Sequence, residues 1–237
     1  MKNTCLLFFM TTLFVFVSCK EEQEQPKVIY SDSQKITESK IDTTNIKISD
    51  LPIFIEGTNY LLHPIGDVRV YGGSRSYGSG SSSISFSISN YNRFELTGFL
   101  ENLRFQHKDS TSFHSLTEKR IQIQTVTFPQ AFSESSKKQI LVYTLTDADT
   151  NRDGKIDSKD IKALYVSHID GSGFTKLSPD FQEVIDWNII VVQGKLYFRA
   201  IEDINKNGAF DKNDTVHYYY VNLFDKEWVA AEYNPVP

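Results

Sequence analysis

Cysteine is almost missing from this 237-residue chain: the two that occur, Cys5 and Cys19, lie at its N-terminal end. Beyond them there is no thiol for a disulfide framework, a Cys-ligated zinc site or a thiol nucleophile. Positive charge is also in short supply. Lys and Arg number 25 against 30 Asp and Glu, a formal net charge of −5, so the basic patch that a nucleic-acid partner requires is not provided. No nucleophile elbow GxSxG, zinc helix HExxH or phosphate loop GxxxxGK[ST] occurs. The Gly/Ser-rich run YGGSRSYGSGSSS, 71–83, lacks the lysine of a phosphate loop and reads as a connection between strands. Long helical periodicity is absent too; only DSKDIKAL, 157–164, has the pattern of a helix start, and it is short enough to be one turn.

What is present is β-type patterning. VRVY (68–71), SISFSIS (83–89), RIQIQTVTF (120–128), QILVYTL (139–145), IIVV (189–192), KLYFRAI (195–201) and VHYYYVNL (216–223) are rich in β-branched and aromatic residues, several alternate apolar and polar positions, and turn residues part them. The region from 49 to 237, roughly 190 residues, is long enough for one sizeable core. Residues 19–48 are polar, free of glycine and poor in aromatics, and read as a tether.

The N-terminus opens with Lys2 ahead of an apolar run from Cys5 to Val17, followed by Ser18 and Cys19. That is a secretion signal in form, short for a span that needs about 20 apolar residues. Phe16-Val17-Ser18-Cys19 resembles a bacterial lipobox, with Phe16 where Leu is commoner, and Lys20-Glu21-Glu22 looks like the export signal of Bacteroidetes surface lipoproteins. The resemblance implies a signal peptide over 1–18, lipidation at Cys19, and a lipid-anchored place on the outer membrane, facing out of the cell.

Two stretches crowd carboxylates into short loops. In DTNRDGKIDSKD, oxygen-bearing side chains fall at loop positions 1 (Asp149), 3 (Asn151), 5 (Asp153), 9 (Asp157) and 12 (Asp160), with Gly154 at 6 and the Lys155 carbonyl at 7. DINKNGAFDKND repeats the register with Asp203, Asn205, Asn207, Asp211 and Asp214, with Gly208 at 6 and Ala209 at 7. Alternate oxygens converging on a hard cation, with glycine at the sharp turn, is the order of an EF-hand loop. An aspartate at position 12 brings both closer to dockerin-type loops. The expected cofactor is Ca²⁺, held more tightly by the first loop, which has four Asp and one Asn where the second has three and two. An acidic turn selected for solubility and left-handed backbone is the alternative reading.

An internal repeat orders the strands. The segment from Leu103 falls over that from Leu164, placing His107 on His168, Asp109 on Asp170, Phe113 on Phe174 and Leu116 on Leu177; the strand and loop of 139–157 fall over 195–211, with Asp149 on Asp203. ALYVSHIDGSGFTKLSPD, then VIDW, then KLYFRAIED resembles the TolB-type β-propeller repeat, with Asp170, Gly171, Ser172, Leu177, Ser178 and Trp187 in the matching places. The resemblance implies an all-β fold, a small or incomplete β-propeller-like repeat with the calcium loops between strands; a β-sandwich is the alternative.

Other candidate chemistry is sparse. Of the five histidines, His63, His107, His114, His168 and His217, no pair stands at helical metal spacing, and the equivalent His107 and His168 suggest packing. Tyr218 to Tyr220 must turn at least one ring outward from a strand, a possible stacking surface for a sugar. Glu183 and Asp186 are acids that a glycoside hydrolase could use. The expectation is a calcium-binding β module with a protein or glycan partner and no enzymatic activity; a glycan-acting enzyme and an accessory subunit of an outer-membrane complex are the alternatives.

Overall fold

The computed structural model describes residues 26–30, 47–67, 86–88 and 94–236. The expected signal peptide, Cys19, the strand at 68–71 and the Gly/Ser-rich run lie outside the described residues. Strands come in the order β1 (Lys47–Ser49), β2 (Ile53–Phe54), β3 (Tyr60–Asp67), β4 (Phe86–Ile88), β5 (Glu95–Leu100), β6 (Asn102–His107), β7 (Phe113–Ser115) and β8 (Gln122–Thr127). A short helix α1 (Gln130–Ser136) follows, then β9 (Ile140–Thr146), β10 (Lys162–His168), β11 (Thr175–Lys176), β12 (Gln182–Ile190), β13 (Lys195–Glu202), β14 (Thr215–Asn222) and β15 (Ala231–Tyr233). The all-β expectation holds. Three antiparallel sheets form: β1-β3-β6-β7 with β2 on β3, then β11-β10-β9-β8-β5-β4, then β12-β13-β14-β15.

The middle sheet is packed on both faces along most of its central strand. Along β9 the residues Leu141, Tyr143 and Leu145 enter one core with Leu62, Leu103 and Phe105 of the first sheet. Their neighbours Ile140 and Val142 enter a second core with Leu196, Phe198 and Val221 of the third. A strand buried on both sides needs apolar residues at consecutive positions, which is why QILVYTL does not alternate. Tyr143 is fully buried and satisfies its hydroxyl on Ser167 Oγ at 2.7 Å; burial holds its pKa far above the ordinary tyrosine range.

The repeat is visible in hydrogen bonds. The Leu116 and Leu177 N–H groups donate to the Leu103 and Leu164 carbonyls, both at 2.8 Å, and the Ser110 and Gly171 N–H groups donate to the His107 and His168 carbonyls, both at 2.9 Å. The hairpins β6–β7 and β10–β11 are thus copies in geometry as in sequence. His107 packs on Tyr60 with ring centroids 5.2 Å apart and His168 on Trp228 at 4.8 Å, in keeping with a packing role.

Three elements differ from expectation. The strand expected at 189–192 ends at Ile190, because Val191–Gln193 turn in a 3-10 helix closed by the left-handed Gly194. DSKDIKAL starts no helix: β10 begins at Lys162, because Ala163 and Leu164 are needed in the buried ladder opposite Leu145 and Thr144 of β9. The helix that does form, α1, has seven residues after Pro129 and buries Phe132, too short a span for a period to register in the sequence. The tether is also shorter than 19–48. Lys47 and Ile48 pair with Asp67 and Gly66 in the first sheet, and Pro26–Tyr30 lies on the protein surface with Val28 only 2% exposed.

Gly171 couples the turn of the middle hairpin to the first core. Its φ of +81° is left-handed, and a Cβ there would stand 2.4 Å from the Phe105 ring, which is itself fully buried. Gly171→Ala should therefore destabilise the domain by about 1–3 kcal/mol. Urea unfolding checks this, and an unchanged midpoint would contradict the packing.

Candidate functional site

Both acidic loops are the turns of long β-hairpins. The first joins β9 to β10 beyond the Thr146–Lys162 pair, and the second joins β13 to β14 beyond Glu202–Thr215. Flanking strands, not helices, hold the loop ends, so neither loop can open as a helix pair does.

Inside the loops the side chains build the same frame twice. Asp149 accepts the Asp153 N–H on Oδ1 (3.1 Å) and the Gly154 N–H on Oδ2 (2.9 Å). Asp203 does the same with Asn207 (3.2 Å) and Gly208 (2.7 Å). At position 3, Asn151 Oδ1 and Asn205 Oδ1 each accept the position-5 N–H, both at 2.9 Å. At position 5, Asp153 and Asn207 accept the N–H of position 7, from Lys155 at 2.9 Å and Ala209 at 2.8 Å. Asp157 and Asp211 accept from Lys159 (2.8 Å) and Asn213 (2.7 Å). At position 12, Asp160 Oδ2 and Asp214 Oδ2 close the loop on the Asp157 N–H (3.0 Å) and Asp211 N–H (2.8 Å). The backbone is copied as well: position 4 has φ +59° at Arg152 and +56° at Lys206, and position 6 has +85° at Gly154 and +83° at Gly208.

The two copies part at the other oxygen of position 12. Asp160 Oδ1 accepts the Thr150 N–H (2.7 Å) and the Asn151 N–H (3.1 Å), whereas Asp214 Oδ1 is buried with no hydrogen-bond partner. Asn151, Asp160 and Asp203 are buried at 7%, 1% and 3% exposure. Among the described residues, no group of three or more His, Cys, Asp or Glu side chains is gathered so as to hold a metal ion as it stands. The carboxylates are turned onto loop amides, with the expected ligands of each loop arranged around one turn.

Sequence reasoning did not single out Thr150, at loop position 2. Its hydroxyl accepts the Ile161 N–H (3.0 Å) and donates to the Lys27 carbonyl (2.7 Å), so it links the loop to the start of β10 and to the N-terminal segment. Nothing in a one-dimensional register marks that position. Glu183 and Asp186 do not act as a pair: Glu183 binds Lys27 Nζ at 2.8 Å and accepts the Lys162 N–H at 2.7 Å, while Asp186 is clamped by Arg199. A β-bulge at Val184–Asp186 separates them along β12. Of the tyrosine run, Tyr219 points inward and stacks on Phe198 at 4.9 Å, and Tyr218 and Tyr220 lie on the other face against Tyr233, at 6.1 and 6.0 Å.

Burial pushes the Asp160 carboxyl above its ordinary pKa, opposed in part by the backbone N–H groups it accepts. The folded chain therefore takes up a proton there more readily than the unfolded chain. The stability linked to this proton is present at low pH and is lost as pH rises from about 3.9 through the raised value. In chelator, the unfolding free energy of the parent relative to Asp160→Asn should fall with rising pH across that window. Chemical denaturation at several pH values measures it, and a flat difference would show that Asp160 is not desolvated. Compared with family models, curated proteins and solved structures, the chain matches none.

Proposed function

We propose that this chain is a lipid-anchored, calcium-binding β module of the cell surface, serving as a binding or structural element and not as a catalyst. The observation that carries the reading is the duplicated loop frame. Two hairpin turns separated in sequence share most of their hydrogen bonds and the same two left-handed positions, with oxygen side chains at loop positions 1, 3, 5, 9 and 12. The ligand set would be Asp149, Asn151, Asp153, the Lys155 carbonyl, Asp157 and Asp160 in one loop. Asp203, Asn205, Asn207, the Ala209 carbonyl, Asp211 and Asp214 would serve in the other. A buried carboxylate oxygen with no donor among the described residues, as at Asp214 Oδ1, is costly unless something positive meets it, which supports a cation there. Lipidation at Cys19 and an outer-surface location rest on the N-terminal sequence; among the described residues, no helix is long and apolar enough to cross a membrane.

The propeller reading is supported by the sheets themselves. β12 to β15 form a sheet of four consecutive antiparallel strands, β8 to β11 are four more within a six-stranded sheet, and the two sheets pack through the Val142–Phe198 core in the manner of adjacent blades. In such a scaffold calcium would brace the long hairpin turns, with no flanking helix pair to open on binding.

An open cleft of mixed lining supports a sugar as the partner. About 430 Å³ in volume, it is bordered by Glu95, Thr125, Thr144, Lys162 and Asp186 beside the apolar Val184 and Ile185, with Trp187 in its wall, a mixed lining that offers a hydroxylated ligand both hydrogen bonds and a flat ring. The tyrosine face of Tyr197, Tyr218, Tyr220 and Tyr233 would be the docking side if the partner is an outer-membrane protein complex.

Calorimetric titration with calcium should show heat in the parent that disappears in Asp149→Ala, Asp203→Ala. At a hundredfold excess over Kd, calcium should stabilise the fold by about 2.7 kcal/mol for each loop it fills, raising Tm by roughly 5–10 °C per loop. No heat at millimolar calcium, with identical Tm in chelator, would reject the cation reading. For the cleft, Trp187→Ala should abolish retention on a panel of immobilised glycans that the parent binds, and a parent that binds none removes the sugar from consideration.

A further inference from the structure

The segment Pro26–Tyr30 belongs by composition to a free tether, yet it is laid across both acidic loops at once. The Lys27 N–H donates to the Gly208 carbonyl at 2.7 Å, the Val28 N–H shares that acceptor at 3.3 Å, and the Ile29 N–H donates to the Thr150 carbonyl at 3.0 Å. In return the Thr150 hydroxyl donates to the Lys27 carbonyl at 2.7 Å. Gly208 is position 6 of the second loop and Thr150 is position 2 of the first, so these bonds tie one loop to the other through the strap. Side chains extend the attachment. Val28 is buried, Lys27 Nζ reaches Glu183 at 2.8 Å, and the Tyr30 ring lies 6.3 Å from that of Phe181. The seat allows no bulk: a Cβ on Gly208 would come within 2.5 Å of both Pro26 and the Val28 carbonyl.

The strap also touches the expected ligands directly. The Tyr30 side chain lies beside Asp203, at position 1 of the second loop. On the other side, Thr150 contacts both the Lys27 carbonyl and Asp160 Oδ1, at position 12 of the first loop, the latter at 3.2 Å.

We infer that Pro26–Tyr30 is a strap whose docking is coupled to filling of the two loops, so that cation binding and strap docking strengthen each other. The inference rests on the calcium reading above. A cation fixes the loop turns whose Gly208 and Thr150 carbonyls receive the strap, and the docked strap fixes the same turns for the cation. Linkage makes the effect reciprocal: whatever factor calcium adds to docking, docking adds to calcium affinity.

Hydrogen–deuterium exchange on the full-length chain separates the possibilities, comparing saturating calcium with chelator and reading amides in two places. Slowing of the loop amides of Asp153, Gly154 and Gly208, together with slowing of Lys27 and Ile29 by at least about fivefold, is the expected result. Slow loop amides with unchanged strap amides would overturn the coupling and leave calcium binding intact. No change in either would overturn both. The reciprocal arm uses Val28→Asp, or Val28→Ser should the charged variant fail to fold. Calcium affinity should drop by the same factor that calcium adds to strap protection, and full affinity in a variant with an unprotected strap would overturn the coupling.

Discussion

The central strand β9 packs on a core on each side, with Thr144 alone turned to the cleft, and the rest of the domain is arranged around that constraint. Ile140 and Val142 are committed to one core, Leu141, Tyr143 and Leu145 to the other, so a slip of one residue would exchange the two sets and ruin both. The partners of β9 inherit the restriction. β10 is aligned over seven residue pairs, from Lys162 opposite Thr146 to His168 opposite Ile140. Charge cannot be accommodated along such a strand, and the carboxylates are accordingly gathered where the hairpins run out into loops. The acidic loops sit at the ends of ladders seven and eight residue pairs long, which gives their turns a rigid base.

The fold class was legible because burial leaves its mark on composition. Runs such as QILVYTL and KLYFRAI reported strands to within a residue or two, and the 61-residue repeat reported a duplicated hairpin that returns in the paired Leu116 and Leu177 hydrogen bonds. The loop register was legible for a similar reason: positions 1, 3, 5, 9 and 12 bond the backbone locally, so the whole pattern lies within twelve consecutive residues. What could not be read was non-local. α1 is held by Phe132 against Phe224, 92 positions further on. DSKDIKAL has local helical features, but the pairing of Ala163 and Leu164 with β9 outweighs them. Glu183 and Asp186 are neighbours in sequence and were grouped as acids, whereas a bulge and two different cations set them apart. Thr150 carries no signature at all, since its part is defined by a segment more than a hundred residues away.

Polar composition was a poor guide to disorder in the N-terminal segment. KVIY contains only three apolar side chains, but one of them, Val28, is as well buried as much of the core. Backbone groups do most of the holding, and backbone groups are invisible to a composition argument. The match between a short extended peptide and two turns that present outward carbonyls is a matter of placement in space.

The docked strap sets a length. With a lipid on Cys19, seven residues would lead from the bilayer to Pro26, a reach of at most about 25 Å, whereas a chain free up to Lys47 would have 28 residues and a contour near 100 Å. Held short, the domain would stand with its two acidic turns toward the lipid headgroups and its tyrosine sheet at a fixed height; let out, it would sweep a volume many times larger. Five residues of backbone would then decide how far from the membrane the module can work.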